Sequence, residues 1–205
     1  MIVKKFNLWL LLCIHFLLIG CAVKPLVTSQ YKLAAYSKKQ MAGKATKYSI
    51  FVNTPVAAAG YKTEEMLYTK KPFELMPFVH NAWVDPPAEM LLPLIVQSLN
   101  CSGYFHAVAS SPSSETTDYR LDTQLIELQQ SFLTKPSRIH LVVKAVLTRV
   151  DDNRIIASRI ICPQVTCPID SPYGGVLAAN RATELFTTEL TNFIVMHVKQ
   201  DAPQK

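Results

Sequence analysis

The side chain with the plainest chemistry is the thiol of Cys21, which ends the run Leu18-Ile19-Gly20-Cys21. Lys4 and Lys5 precede an apolar stretch from Phe6 to Leu18. A basic start, an apolar middle and small residues at a cut site are the parts of a secretory signal peptide. The stretch is shorter than the ~20 residues a spanning helix needs. A cysteine directly after Ile-Gly has the form of a bacterial lipobox, in which the thiol takes a diacylglycerol, the chain is cut before it, and the freed amine is acylated in turn. One acyl chain holds to a bilayer only marginally, at about 0.8 kcal/mol per buried methylene, whereas two or more anchor stably. The expectation is that residues 1–20 leave as a signal peptide. Cys21 is then the acylated (palmitate-bearing) first residue of a chain held on an envelope membrane. A plain signal peptide with a chance cysteine is the alternative.

Cys13 leaves with the signal, so Cys101, Cys162 and Cys167 remain. An odd number leaves one thiol over. In an oxidising compartment one pair can bridge, and Cys162 and Cys167, beside Pro163 and Pro168, are the candidate disulfide. Cys101 then reads as a buried, inert thiol at a helix end. A zinc site from Cys162, Cys167 and a histidine is a weak signal, because the cysteines are five apart with no second pair. The histidines His80, His106, His140 and His197 are scattered. Asp85, Asp118 and Asp122 can be paired with them only by geometry. There is no Gly-x-Ser-x-Gly, no His-Glu-x-x-His and no glycine-rich phosphate loop. The chain therefore reads as a non-enzyme with no catalytic residue, no metal and no cofactor.

The elements that must position these residues follow from periodicity. Residues 21–47 read as the lipidated start and a tether, rich in Lys, Ala, Ser and Gln, with a short extended piece at Tyr31-Lys32-Leu33. The folded domain is expected over 48–199, with a frayed tail at 200–205. Strands are expected at Tyr48–Val52, Glu65–Thr69 and Phe73–Trp83, the last at an edge or bulged because of Pro77. Asp85-Pro86-Pro87 predicts a helix start, with Asp85 as the capping acceptor. Leu91, Ile95 and Leu99 form its buried stripe, Pro93 should kink it, and Gly103 should stop it. Tyr104–Val108 enters another strand before a Ser/Thr-rich loop.

Tyr119, Leu121 and Leu125 share one parity and Ile126 and Leu128 take the other, so this strand should carry a bulge. Ile139 to Leu147 alternate cleanly, and Asp151-Asp152-Asn153 turns that strand into a hairpin with Arg154–Cys162. A terminal helix opens at Gly174-Gly175 and runs to about Lys199. Ala179, Ala182, Phe186, Leu190 and Phe193 line its buried face, with Thr183, Glu184, Thr187, Thr188 and Asn192 mainly away from it. The fold class is α+β: a single mixed β-sheet with two main helices packed on one face.

The chain has 205 residues and a formal charge of +6, which falls to +4 once Lys4 and Lys5 are removed. That suits one domain plus a tether. The charge is too mild and too little interleaved with aromatics for nucleic acid. Lys38, Lys39, Lys44 and Lys47 read either as a basic tether beside anionic lipid or as a solvated linker.

In this order the motifs resemble the ABC-type transport auxiliary lipoproteins, the group of paraquat-inducible protein C. The matching stretches are Ile50-Phe51-Val52 leading to Gly60-Tyr61, Met66-Leu67-Tyr68 and Trp83-Val84-Asp85-Pro86-Pro87. They continue with Ser102-Gly103-Tyr104-Phe105, Asp118-Tyr119-Arg120-Leu121 and Ala178-Ala179-Asn180-Arg181-Ala182. The resemblance implies a periplasm-facing lipoprotein that accompanies an ABC transporter carrying an MCE-domain protein, in systems that move lipids or hydrophobic compounds between membranes. Ala22 after Cys21, in place of Asp, favours the outer membrane under the enteric sorting rule.

Trp83 and Tyr68 are candidate partner contacts, with packing in the core as the preferred reading of both. Tyr173-Gly174-Gly175 reads as a contact loop or a flexible helix entry. A homo-oligomer is left open. The competing readings are an envelope lipoprotein that regulates a cell-wall synthase and a lipid carrier with its own groove. A 25-residue coil averages only ~25–30 Å, which favours a partner close to the anchoring membrane.

Overall fold

The structure is a computed structural model that describes residues 27–41, 43–111 and 116–201. The signal peptide and Cys21 lie outside the described residues.

Two long strands, β7 (Tyr119–Ser131) and β8 (Arg138–Arg149), pair antiparallel along their length and form the axis of the sheet. The register shifts between Leu125 and Glu127, where the parity of the apolar residues breaks in the sequence. This bulge divides the outer edge of β7. Its first half takes β2 (Ser49–Val52) and the short β3 (Val56–Ala57) in parallel. Its second half takes β4 (Glu65–Thr69), also in parallel. Beyond β2 lies β6 (Ala107–Ser110). Beyond β4 lie β5 (Met76–Trp83) and then β1 (Ser29–Tyr31), which is parallel to β5. On its far side β8 carries β9 (Ile155–Ile161) and β10 (Gln164–Thr166). The described residues thus form one curled, mixed, ten-stranded sheet with two α-helices packed against it, an α+β fold.

Along β8, Ile139, Leu141, Val143, Ala145 and Leu147 are buried, and Arg138 and Lys144 are exposed. Two helices cover this inner face. In α1 (Pro87–Cys101) Leu91, Ile95 and Leu99 are buried. In α2 (Pro172–Asp201) Ala179, Ala182, Phe186, Leu190 and Phe193 are buried. Burying each large apolar side chain favours folding by ~1.5–3 kcal/mol.

Several expectations are corrected here. Pro86, not Asp85, is the N-cap residue of α1, and no side chain caps it. Pro87 at the first helical position has no N–H to satisfy, and the Glu89 and Met90 N–H groups donate to the Pro86 carbonyl at 2.9 and 3.2 Å. Pro93 lies inside the helix on its exposed face, where the Glu89 carbonyl it would have bonded can meet water. Gly103, at φ 65°, follows the helix as expected. Thr183 and Thr187 are buried, not turned away. Their hydroxyls donate to carbonyls one turn back, those of Ala179 and Thr183, so the core holds them without an unpaired donor. Gly174 and Gly175 are buried inside the first turn of α2, not in a loose entry. A Cβ on Gly174 would collide with the Ile169 carbonyl oxygen, and one on Gly175 would collide with Oε1 of Gln130.

The largest difference is in the expected tether. Most of it is a strap bound to the body. Thr28 donates its N–H to the His80 carbonyl (3.1 Å) just before β1. Leu33 is buried. The Ala34 and Ala35 N–H groups donate to Oδ1 of Asn180 (2.8 and 3.1 Å), whose amide nitrogen donates to the Lys32 carbonyl at 3.2 Å. Ser37 N–H reaches Oγ1 of Thr187 at 2.9 Å, Met41 N–H reaches the Ser102 carbonyl at 2.8 Å, and Thr46 N–H reaches the Tyr104 carbonyl at 2.8 Å. Lys38, Lys39, Lys44 and Lys47 therefore lie on the path of this strap, not on a free tether. Its polar composition hid it because its partners are side chains and carbonyls, not an apolar stripe.

Asn180→Ala removes both polar ends of one amide from three strap groups. We expect a loss of about 1–3 kcal/mol in urea unfolding and faster amide hydrogen exchange at Ala34 and Ala35, with α2 unaffected.

Candidate functional site

The residues singled out from sequence are dispersed. His106 lies with Nδ1 3.0 Å from the Tyr48 carbonyl. His140 Nδ1 is 3.5 Å from Glu127, and His197 stacks edge-on to Phe193 at 4.7 Å. Asp118 accepts from the Ser49 N–H and hydroxyl, both at 2.7 Å, and Asp122 accepts from Asn53 and Arg120. These carboxylates are thus engaged by groups other than His106, His140 and His197. Among the described residues no group of three His, Cys, Asp or Glu side chains can hold a metal ion.

Cys162 and Cys167 are free thiols, not a bridge. They flank β10, whose extended backbone keeps them apart, and their odd separation turns Cys162 to solvent and Cys167 inward. Burial raises the Cys167 thiol pKa. Cys101 is exposed, contrary to the expected buried thiol.

Trp83 is only 3% exposed, so it belongs to the core and cannot serve as a partner anchor. Its N–H donates to Glu64 and the next one, from Val84, to Tyr31, which ties β1 to the sheet. Tyr68 is half-buried. Its ring lies 4.4 Å from that of Phe78 and 5.9 Å from that of Phe132. Between the helices and the sheet, the hollow at Met66, Trp83, Leu128 and Ile139 measures about 10 Å³. That is near the size of one water and far below an acyl chain. The carrier reading therefore finds no groove there.

Two ends of the sheet hold the concentrated chemistry. At one end Asp201, the last residue of α2, is nearly buried. It accepts from Tyr119 Oη (3.2 Å), from Arg149 Nη1 (3.2 Å) and from Arg154. A carboxylate at a helix C-terminus faces the negative end of the dipole, and the two guanidinium groups offset that. Arg149 also meets Asp151 at 3.1 Å and Asp152 at 2.8 Å, which holds the Asp152 carboxyl well below the usual range. Burial, then the nearby Asp201, raises the Tyr119 phenol. Beside this clasp is an open hollow of about 390 Å³.

At the opposite end, two turns stand side by side. One joins β4 to β5 through Lys70-Lys71-Pro72-Phe73, with Glu74 N–H donating to the Lys71 carbonyl at 3.2 Å. The other joins β7 to β8 through Phe132 and Leu133. Phe132 N–H donates to the Thr69 carbonyl at 2.9 Å and links the two. Phe73 is fully exposed at φ 66° and Leu133 is half-exposed. This corrects the expectation that Phe73 lies inside a strand. Nothing in Pro-Phe-Glu, with no glycine or asparagine, signals the positive φ.

No family model matches the chain, and no curated protein matches it. Among solved structures it is similar to a Xanthomonas campestris protein of family DUF330, with TM-score 0.76 and 22% identity over 85% of this chain and 98% of that one. It is also similar to an uncharacterized protein, with TM-score 0.65 and 11% identity over 82% and 99% of the two chains. These likenesses show the fold alone. A Neisseria meningitidis lipoprotein superposes at TM-score 0.37, with 14% identity over 71% and 99% of the two chains, too loosely to carry an argument.

Asp201→Ala should cost about 1–2 kcal/mol, discounted for the exposed Arg154, and should speed hydrogen exchange in the last turn of α2. Burial, then Glu127, pushes the Tyr61 phenol up to about 12. Its folded pKa exceeds the unfolded one, so the stability it supports is complete below pH 10 and is lost as pH rises towards 12. Urea midpoints measured across that window should fall, and Tyr61→Phe should flatten part of the fall.

Proposed function

We propose that this chain is a lipid-anchored, non-catalytic envelope lipoprotein that serves as the accessory subunit of an MCE-type ABC transport system moving lipids or hydrophobic compounds between membranes. The observation that carries the anchored reading is the placement of Leu18-Ile19-Gly20-Cys21 only seven residues ahead of Thr28, the first residue bonded to the sheet. Seven residue steps span at most about 25 Å. An acylated Cys21 would hold the body against its own membrane on a short leash. That disfavours the cell-wall-regulator reading, which needs reach, and suits a partner assembled close to the anchoring membrane. Ala22 points to the outer membrane.

The transport role rests on the ordered motifs, and the fold gives several of them physical work. Asn180 fastens the strap, Gly103 follows α1, and Asp118 and Tyr119 pin β2 and the end of α2. The DUF330-like fold is compatible with this reading. An energy source and a membrane route would come from partners.

The full-length chain, purified in mild detergent from its own cells, tests both parts. We expect its mass to lack residues 1–20 and to carry acyl groups on Cys21, with an MCE-domain protein recovered in stoichiometric amount. Cys21→Ser should lose the acyl mass and leave the membrane fraction. An unacylated chain would end the anchored reading, and a cell-wall synthase in place of the MCE protein would replace the transport reading.

A further inference from the structure

Phe73 is the residue that the packing of the fold explains least. A full-size ring stands in solvent on a left-handed backbone, at φ 66°, where glycine sits without strain and L residues do not. The Lys71–Glu74 turn places it third, the position usually given to glycine or asparagine. Strain of this kind is kept where surrounding structure and use require it. Its own turn carries exposed Lys70 and Lys71, and the neighbouring turn, linked to it through Phe132 and Thr69, carries exposed Leu133 and Lys135. The acids nearby are Glu74 and Asp170. The Asp170 carboxylate accepts from the Ser137 N–H at 2.7 Å and also feels the charge of Lys135, while Lys70 Nζ stands 5.3 Å from the centre of the Tyr68 ring.

We propose that this end of the sheet is a second membrane contact. Phe73 and Leu133 enter the lipid interface while Lys70, Lys71 and Lys135 lie among anionic headgroups, next to the acyl anchor. The inference rests on the anchored reading of Cys21. An apolar tip ringed by cations is the pattern of interfacial binding, in which buried apolar area and attraction to anionic lipid add together.

The chain path selects the lipid surface as the occupant. β1 runs parallel to β5 with Ser29 opposite Asn81, and Thr28 bonds His80. Val27, ahead of Thr28, accordingly lies beside Pro77, Phe78 and Val79, on the Met76 side of β5. His80 to Met76 is four residues, about 13 Å of strand. The leash from Thr28 to Cys21 is at most about 25 Å. Seven steps starting from Thr28 are long enough to reach the level of the tip and too short to hold the body far from the bilayer.

The test uses the full-length chain purified from membranes and reconstituted into vesicles of phosphatidylethanolamine and phosphatidylglycerol, with and without bilayer-brominated lipid. Phe73→Trp provides a probe at the tip, and Ile155→Trp, on exposed β9 at the clasp end, provides the reference. The emission of buried Trp83 is common to both variants and is subtracted using the parent chain. Brominated lipid should lower the emission of the tip probe about twofold and leave the reference probe unchanged, as expected for a ring inside the interface. Combined Lys70→Ala, Lys71→Ala and Lys135→Ala should reduce that quenching. Equal quenching at the two probes overturns the proposal. So does a tip probe that is shielded from aqueous iodide yet untouched by brominated lipid, since that would mean a protein covers the tip. The intact mass of the same preparation reads the anchor separately. Acyl mass without quenching at the tip overturns the tip contact and keeps the anchor, and quenching without acyl mass does the reverse.

Discussion

A thirteen-residue strand buried along both edges must find a partner for every backbone group, and β7 meets that demand only because it is bulged. Unpaired amides in the interior cost as much as lost hydrogen bonds. The register shift between Leu125 and Glu127 lets β7 bend, so that β2 and β3 serve its first half and β4 its second. β8 repeats the arrangement on the other side with β9 and β10. The curl that results makes a concave face, and both helices lie in it. The elements that close the fold, including the strap and the Asp201 clasp, work on a surface set by that bend.

The strap and the clasp divide the labour between the first half of α2 and its last residue. Over its first half, from Asn180 to Thr187 at its middle, the helix holds residues 32–37 through their backbone groups. At its finish, Asp201 is gripped by Arg149, Arg154 and Tyr119. α2 is therefore fixed along its length by polar contacts as well as by its apolar stripe. The opposite tip is held differently. There the backbone is tied by Thr69 and Phe132, and the side chains of Phe73 and Leu133 are left to solvent.

Much of the fold is legible in the sequence because apolar periodicity reports which face is buried. The parity slip between Leu125 and Ile126 reads directly as the bulge, and the alternation from Ile139 to Leu147 reads as β8. The stripe from Ala179 to Phe193 reads as α2. Features held by specific polar atoms do not announce themselves. The strap has one buried apolar residue beyond β1, Leu33, before its partners take over, and these lie far along the chain. The threonines of α2 look like solvent residues until their hydroxyls are seen to bond back along the helix. The candidate sites divide the same way. Trp83 is legible as core because it sits where a strand meets a helix. The tip at Phe73 is not, because its turn uses none of the residues that favour a positive φ. The Cys162–Cys167 bridge fails on the strand between the two residues, which spacing alone does not reveal.

The strap also sets an order of assembly. Ser37 is bound by Thr187, 150 residues later, and Ala34 by Asn180, 146 residues later. A chain made from its amino end therefore keeps this segment waiting until the final helix exists. Closing so long a loop is entropically costly and belongs late in folding. Release of the last helix would expose the strap at the same moment, so these two segments shield each other from proteases and fail together.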